Sequence, residues 1–307
     1  MNKPVAALIY DFDNTLCTKD MQEYCMEKRP ILAIMYDFDH TLSPRDMQEY
    51  GFIPSIGMSA SAFWKQVNDL TDQQQMDNIL AYMFLMVQKG REEKIPITRE
   101  IFQKLGEGIE YFEGVPTWFE RINQYGESIG LQVEHYIVSS GIKEIIEGTS
   151  IAPCFHYIYA CEFMYGDDGA IQWPKFAVNY TAKTQFLFRI NKGVLTIDSK
   201  SSERLNRFTP EEERRVPFKN MIYLGDGLTD VPCMKLVKSH GGQSIAVYNP
   251  QRNSNPAKRL LEENRVNFIR SADYRSGSEL EKLVQTILCK IQAESRMLSC
   301  NPSQGEC

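Results

Sequence analysis

Two aspartates with one residue between them end an apolar run at Asp37-Phe38-Asp39, and the same signature stands at Asp11-Phe12-Asp13. Carboxylates at i and i+2 can both reach one reacting centre if the chain curls where a strand ends. One can attack while the other donates and accepts a proton. A second acidic tip, Gly225-Asp226-Gly227 with Asp230 close behind, lies on a glycine turn at a helix start. Carboxylates gathered in one place repel one another unless a cation neutralises them, and hard oxygen ligands that leave room for water suit Mg²⁺. Ser139, the first polar residue after "YIV", and a lysine would add a hydroxyl and a positive charge to grip a phosphoryl group. Enzymes accelerate phosphate monoester hydrolysis by up to ~10²¹-fold. A covalent carboxylate, a metal and positioned donors acting together suit that task; a single carboxylate does not.

These tips need elements that bring them to one edge. Short apolar runs precede each of them: "LAIMY" before Asp37, "VEHYIV" before Ser139 and "NMIYLG" before Asp226. Helical stretches alternate with them, and "SIAVYN" and "VNFI" add further strands, so the pattern predicts a parallel sheet covered on both faces. Ligands of such sheets bind beyond the carboxyl ends of the strands, where all three tips fall. "VSSG" is expected as a turn into a helix, and "HYIYACEFMYGDDGAIQW" as a hairpin turning at Asp167-Asp168-Gly169. A helix over "AKTQFLFRINKG" ends at Gly193, and the polar residues 194–217 form a loop excursion. From Ser59 to about Gln124 the apolar spacing is helical throughout.

The first acidic tip belongs to a tandem repeat. At an offset of 26, Pro4 meets Pro30, Tyr10 to Asp13 meets Tyr36 to Asp39, and Asp20 to Tyr24 meets Asp46 to Tyr50. The unit occurs twice only, so a solenoid is excluded. One central place in a sheet admits one of the two copies. The second copy runs directly into the helical segment and is the expected occupant; the first, with Asp11 and Asp13, is the alternative.

At these residues the chain resembles the haloacid dehalogenase superfamily, and within it the phosphoserine-phosphatase-like branch. The Asp-x-Asp-x-Thr motif is matched by Asp37, Asp39 and Thr41, and equally by Asp11, Asp13 and Thr15; the serine motif by Ser139 in "YIVSSG"; and Gly-Asp-x-x-x-Asp by Gly225, Asp226 and Asp230. The likeness runs from Ile31 to Ile291. For the motif lysine, Lys183 at the head of "KTQFLFRI" has the family's usual context, with Lys200 and Lys219 as alternatives. The resemblance implies a Rossmann-like α/β core, 29–50 and 126–294, with a helical cap, 51–125, inserted after the first motif. Residues 1–28 are then a duplicated appendage and 295–307 a disordered tail. It also implies that Asp37 is the nucleophile that becomes an aspartyl-phosphate and Asp39 the acid and base. Thr41, Ser139, Gly141 and Lys183 would hold phosphate, and Asp37, Asp39, Asp226 and Asp230 would hold Mg²⁺. The implied activity is hydrolysis of a small phosphorylated metabolite. Transfer to an acceptor other than water, or a catalytically silent binding protein, are the rival readings.

The bulk composition fits. With 307 residues, 43% of them hydrophobic, the chain can bury a full core. A formal net charge of -6 argues against nucleic acid or an anionic membrane as main partner. The start has too short an apolar stretch for a signal peptide, and no run approaches the ~20 apolar residues of a membrane span. Eight cysteines without CxxC spacing read as free thiols of a reducing cytoplasm. No spacing sets an oligomeric state. His40, His135, His156 and His240 lack ligand spacing and read as structural or surface residues. Phe63, Trp64, Tyr82, Phe84 and Met86 read as the core of the helical insert rather than a substrate cage, with some of them free to face the site.

Overall fold

The strands of the computed structural model, which describes residues 29–299, are β1 (Ile31–Tyr36), β2 (Gln132–Ile142), β3 (Tyr157–Tyr165), β4 (Ile171–Phe176), β5 (Met221–Gly225), β6 (Gln243–Tyr248) and β7 (Phe268–Ser271). They make one sheet in the order β4-β3-β2-β1-β5-β6-β7, parallel except for β4, which returns along β3 as the expected hairpin. β1 lies between β2 and β5 and is buried from Leu32 to Tyr36, the environment that a continuous apolar run suits. That strand comes from the second copy of the repeat. The first copy, with Asp11 and Asp13, and the end of the expected tail, residues 300–307, lie outside the described residues.

Between β1 and β2 stand α1 (Phe52–Ser55), α2 (Ala60–Gln74), α3 (Asn78–Glu92), α4 (Arg99–Gly106) and α5 (Val115–Ser128). Side chains cap three of them: Ser59 accepts from the Ala62 amide, Asp77 from those of Ile79 and Leu80, and Thr98 from that of Ile101. The expected insert, 51–125, takes in most of α5, whose Trp118 indole donates to the Tyr36 hydroxyl at 2.9 Å and whose Phe119 meets Tyr36 edge-on. The apolar stripe of α5 is spent on the sheet, and α4 is packed on the helix Lys143–Glu147.

The remaining helices are α6 (Lys143–Glu147), α7 (Thr184–Lys192), α8 (Ser201–Asn206), α9 (Val231–Ser239), α10 (Asn255–Glu262) and α11 (Glu279–Ser299). α11 packs on α5, with Arg121 donating to Glu281 at 2.7 Å, while α9 covers β5 and β6 and touches α7. Helices thus cover both faces of the sheet. α8 interrupts the polar excursion expected at 194–217. α11 runs five residues into the expected tail 295–307, because Leu280, Val284, Leu288 and Ile291 bury one face and the helix propagates past them. Among the described residues no helix is long and apolar enough to cross a membrane.

Candidate active site

The Asp37 amide donates to the Leu224 carbonyl at 3.0 Å, the last rung between β1 and β5, and beyond it the chain curls. Asp37 and Asp39 therefore leave the sheet at the carboxyl edge. Ser139 reaches the same edge by a different route. "VSSG" is not a turn: β2 continues through it with a register shift between Val138 and Ile142, and such an irregularity re-aims side chains. Ser139 is buried there, its Oγ accepting from the Gly141 amide at 3.1 Å. Gly141 has no room for a side chain, because a Cβ would collide with Met47 and crowd an Asp39 oxygen.

Behind Asp37 lies a closed ionic cluster. The Lys183 ammonium, fully buried, donates at 2.8 Å to Asp37 Oδ2 and at 2.8 Å to Asp230 Oδ1. The other Asp37 oxygen accepts from the Phe38 amide at 2.7 Å, and Asp230 Oδ1 also accepts from the Tyr223 hydroxyl at 2.8 Å. A Cβ at Gly225 would run into the Asp230 carboxylate, so the glycine is what lets that side chain fold back under the strand end. Lys200 and Lys219, the other candidates, are exposed.

The charges do not balance. Oxygens of Asp37, Asp226 and Asp230 lie within 4.8 Å of one another, with Lys183 as the cation bonded among them. Burial, then Asp230 and Asp37, push the Asp226 carboxyl up to about 8. Burial and Asp37 push Asp230 up to about 6 against the pull of Lys183 and Tyr223. Burial works against the charge on Lys183, yet Asp230 and Asp37 overcome it and hold the ammonium well above its usual range. A hard divalent cation would relieve this strain, and three convergent carboxylate oxygens are a fitting donor set for Mg²⁺. The Asp39 carboxylate stands apart from the trio. It accepts from the Met47 amide at 2.9 Å, and burial, then Asp46 and Asp37, raise it well above the carboxylate range.

Asp37, Asp39, Ser139, Gly141 and Asp226 line one cleft of about 500 Å³, the size of a small-molecule site. Lys183 and Asp230 sit behind it. Thr41 is not in the cleft wall: its hydroxyl is buried without a hydrogen-bond partner, and its carbonyl accepts from Tyr274 at 2.8 Å. Facing the strand ends are Asp46, Gln48, Trp64, Asn78, Tyr82 and Tyr180. His40 joins them, paired with Asp46 at 3.3 Å, a contact that raises its pKa. Of the five residues read as insert core, Phe63 and Met86 are buried and Phe84 is half exposed, while Trp64 and Tyr82 meet the cleft. Their helical spacing carries no sign of this, because helix geometry shows which residues share a face and not what that face meets.

Such an arrangement defines an α/β enzyme core built around strand-end carboxylates. Residues 34–235 match the family model described as haloacid dehalogenase-like hydrolase, and the chain belongs to that family. An "Uncharacterized protein" of Borreliella burgdorferi is 30% identical over 319 residues, spanning 93% of this chain and 97% of its own. Two solved structures share the fold. A HAD family hydrolase from Salmonella enterica serovar Typhi has a TM-score of 0.52 at 16% identity, over 83% of this chain and 70% of its own. A phosphoserine phosphatase with bound substrate has 0.51 at 14% identity, over 85% and 99%.

Proposed function

We propose that the protein is a Mg²⁺-dependent phosphatase that hydrolyses a small phosphomonoester through an aspartyl-phosphate on Asp37. The observation that carries this reading is the convergence of Asp37, Lys183, Asp226 and Asp230 from distant stretches of chain behind a cleft also lined by Asp39 and Ser139. The family match begins at residue 34 and so includes the second acidic pair, which supports Asp37 over Asp11.

Asp37, Asp226 and Asp230 would hold the cation. When bound, it would neutralise their mutual repulsion and draw electron density from the phosphoryl oxygens. Lys183 and the Phe38 amide fix the direction of the Asp37 carboxylate for in-line attack on phosphorus. Asp39, raised by burial and by Asp46 and Asp37, keeps a proton for the leaving oxygen. Once ionised it takes a proton from the water that cleaves the aspartyl-phosphate. Ser139, at the cleft wall, donates to a phosphoryl oxygen.

The test is hydrolysis of p-nitrophenyl phosphate with Mg²⁺ and with EDTA. Wild type is expected to turn over only with the metal, and Asp37→Asn to lose about 10³-fold or more. Asp11→Asn is expected to stay close to wild type. Loss confined to the Asp11 variant would move the nucleophile to the first copy, and turnover without the metal would rule out a metal-assisted attack by Asp37.

A further inference from the structure

Several hydrogen-bond donors of the cleft lining are already engaged within the protein. Trp64 Nε1 donates to Glu49 at 3.2 Å, the Tyr82 hydroxyl to the Ser140 carbonyl at 2.6 Å, and the Asn78 amide nitrogen to Asn68 and Thr71 at 3.3 Å each. Beside the neutral donors of Gln48, Ser140 and Tyr180, what remains free in the lining is acceptors. Gln48, only 2% exposed, has its Oε1 buried with no partner, and Asn78 Oδ1 is left over once its nitrogen is engaged. Asp46 adds a carboxylate. A buried acceptor without a donor costs about 1–3 kcal/mol unless a ligand satisfies it.

The charge pattern points the same way. Among the described residues, no lysine or arginine lines the cleft. Lys183 is enclosed behind Asp37, and His40 is engaged by Asp46. Arg252, from the loop after β6, is near enough to oppose the charging of His40 but is outside the wall. The rim is apolar or aromatic, with Tyr180 at 47% and Leu228 at 71% exposure beside Trp64. Acceptors, a carboxylate and aromatic rings without a free cation suit an ammonium group. A carboxylate there would meet Asp46 and Asp39 with no lysine or arginine in the lining to pair it.

We infer that the cleft selects phosphomonoesters of a small amino alcohol, its ammonium group set among Gln48, Asp46 and Trp64 where a carboxylate finds no lysine or arginine. This rests on the phosphatase reading and deepens it by naming the leaving group.

Phosphoethanolamine and phosphoserine differ by one carboxylate, so their ratio reads the inference directly. With Mg²⁺, kcat/KM for phosphoethanolamine is expected to exceed that for phosphoserine by roughly tenfold or more. Gln48→Leu should reduce the phosphoethanolamine value by a larger factor than the p-nitrophenyl phosphate value. Asn78→Arg should shift the ratio toward phosphoserine. Equal rates, a preference for phosphoserine, or a preference for glycerol phosphate over phosphoethanolamine would overturn the ammonium site while leaving phosphatase activity intact. If p-nitrophenyl phosphate is not hydrolysed, the phosphatase reading fails separately. The thermal shift of the metal-loaded protein with each phosphate then decides: a larger shift with phosphoethanolamine supports the inference, and equal, absent or reversed shifts overturn it.

Discussion

Two groups of buried and half-buried carboxylates sit close together in this protein, and they are built on opposite principles. Where α4 meets α6, β3 and β4, Glu144, Glu147 and Glu162 face Arg99, Lys143 and Lys175, three anions against three cations, at 2.8 to 3.6 Å. At the strand ends, Asp37, Asp226 and Asp230 share Lys183. The difference shows in the acids themselves. Glu162 is held below its usual range, since Lys175, Lys143 and Arg99 outweigh its burial. In that group it is the fully buried Glu144 that burial raises, whereas Asp226 and Asp230 are both driven up. The first group fastens a helix to the sheet. The second carries an excess of carboxylates over cations, the imbalance on which the proposed cation site rests.

The sharpest way to break this comparison is to turn one carboxylate into an amide in each group. Asp226→Asn is expected to cost about 10²–10³-fold in kcat/KM by removing a cation ligand. In EDTA near neutral pH the same variant should melt a few degrees above wild type, because a neutral amide is buried there without first having to take up a proton. Glu162→Gln should do the reverse: activity within a few-fold, and stability lower by roughly 1 kcal/mol, the scale of a partly exposed network. Kinetics and thermal melts of both variants check it. A destabilised Asp226→Asn would mean that the strand-end group is a structural cluster after all.

Mg²⁺ itself should sharpen the contrast. A cation that binds only the folded protein is expected to stabilise wild type by about 2.7 kcal/mol at a hundredfold excess over Kd. Asp226→Asn should lose most of that gain, and Glu162→Gln should keep all of it. Calorimetric melts across a Mg²⁺ titration provide the measurement.

Acidity separates the groups as well. In metal-free protein the folded Asp226 holds a proton up to pH of about 8, while the unfolded chain releases it near its ordinary 3.8. The folded state therefore binds more protons than the unfolded state between those values, so this group's contribution to stability falls as pH rises through that window. Asp230 adds to the same slope up to about 6. Glu162 is shifted the other way, so its contribution is present above the unfolded pKa and fades as pH falls toward its lowered folded one. Melts in EDTA between pH 5 and 8 are expected to show wild type losing stability with rising pH more steeply than Asp226→Asn. Equal slopes would remove the charge imbalance from the account.

Reading the chain alone recovers one side of this comparison far better than the other. The strand-end residues are legible because a buried parallel strand is an uninterrupted apolar run, and a polar residue closing it is conspicuous. Asp37, Ser139 and Asp226 all stand out in that way. Lys183 is reached through the family resemblance, which places the motif lysine at the head of such a helix. The helices facing the site are different. α5 carries the same amphipathic spacing as α2 and α3, and spacing does not tell whether a stripe meets a sheet or a cleft. Spacing therefore leaves open where the insert ends and which of its aromatic residues, Trp64 and Tyr82 among them, also face the site. Thr41 fails for another reason: it completes a motif by position, yet the turn after Phe38 buries its hydroxyl away from the cleft wall.

Tyr223 is the residue that reading misses altogether, since an aromatic inside "NMIYLG" counts as packing. Its hydroxyl donates to Asp230 Oδ1, the atom that Lys183 also holds, and it lies within the sheet core at 0% exposure. Tyr223→Phe removes one oxygen without changing the ring, so the core stays filled. Asp230 loses one of two donors on that oxygen but keeps its lysine. The expected cost is thus the net value of one hydrogen bond to a charged group, about 1.5–3 kcal/mol at most in stability. Activity should fall by a smaller factor than in Asp226→Asn, because Tyr223 acts through Asp230 and touches no substrate. As a positioning residue it should weaken the Mg²⁺ dependence of kcat/KM more than turnover at saturating Mg²⁺. A variant whose loss persists unchanged at saturating Mg²⁺ would show that Tyr223 does more than aim the carboxylate.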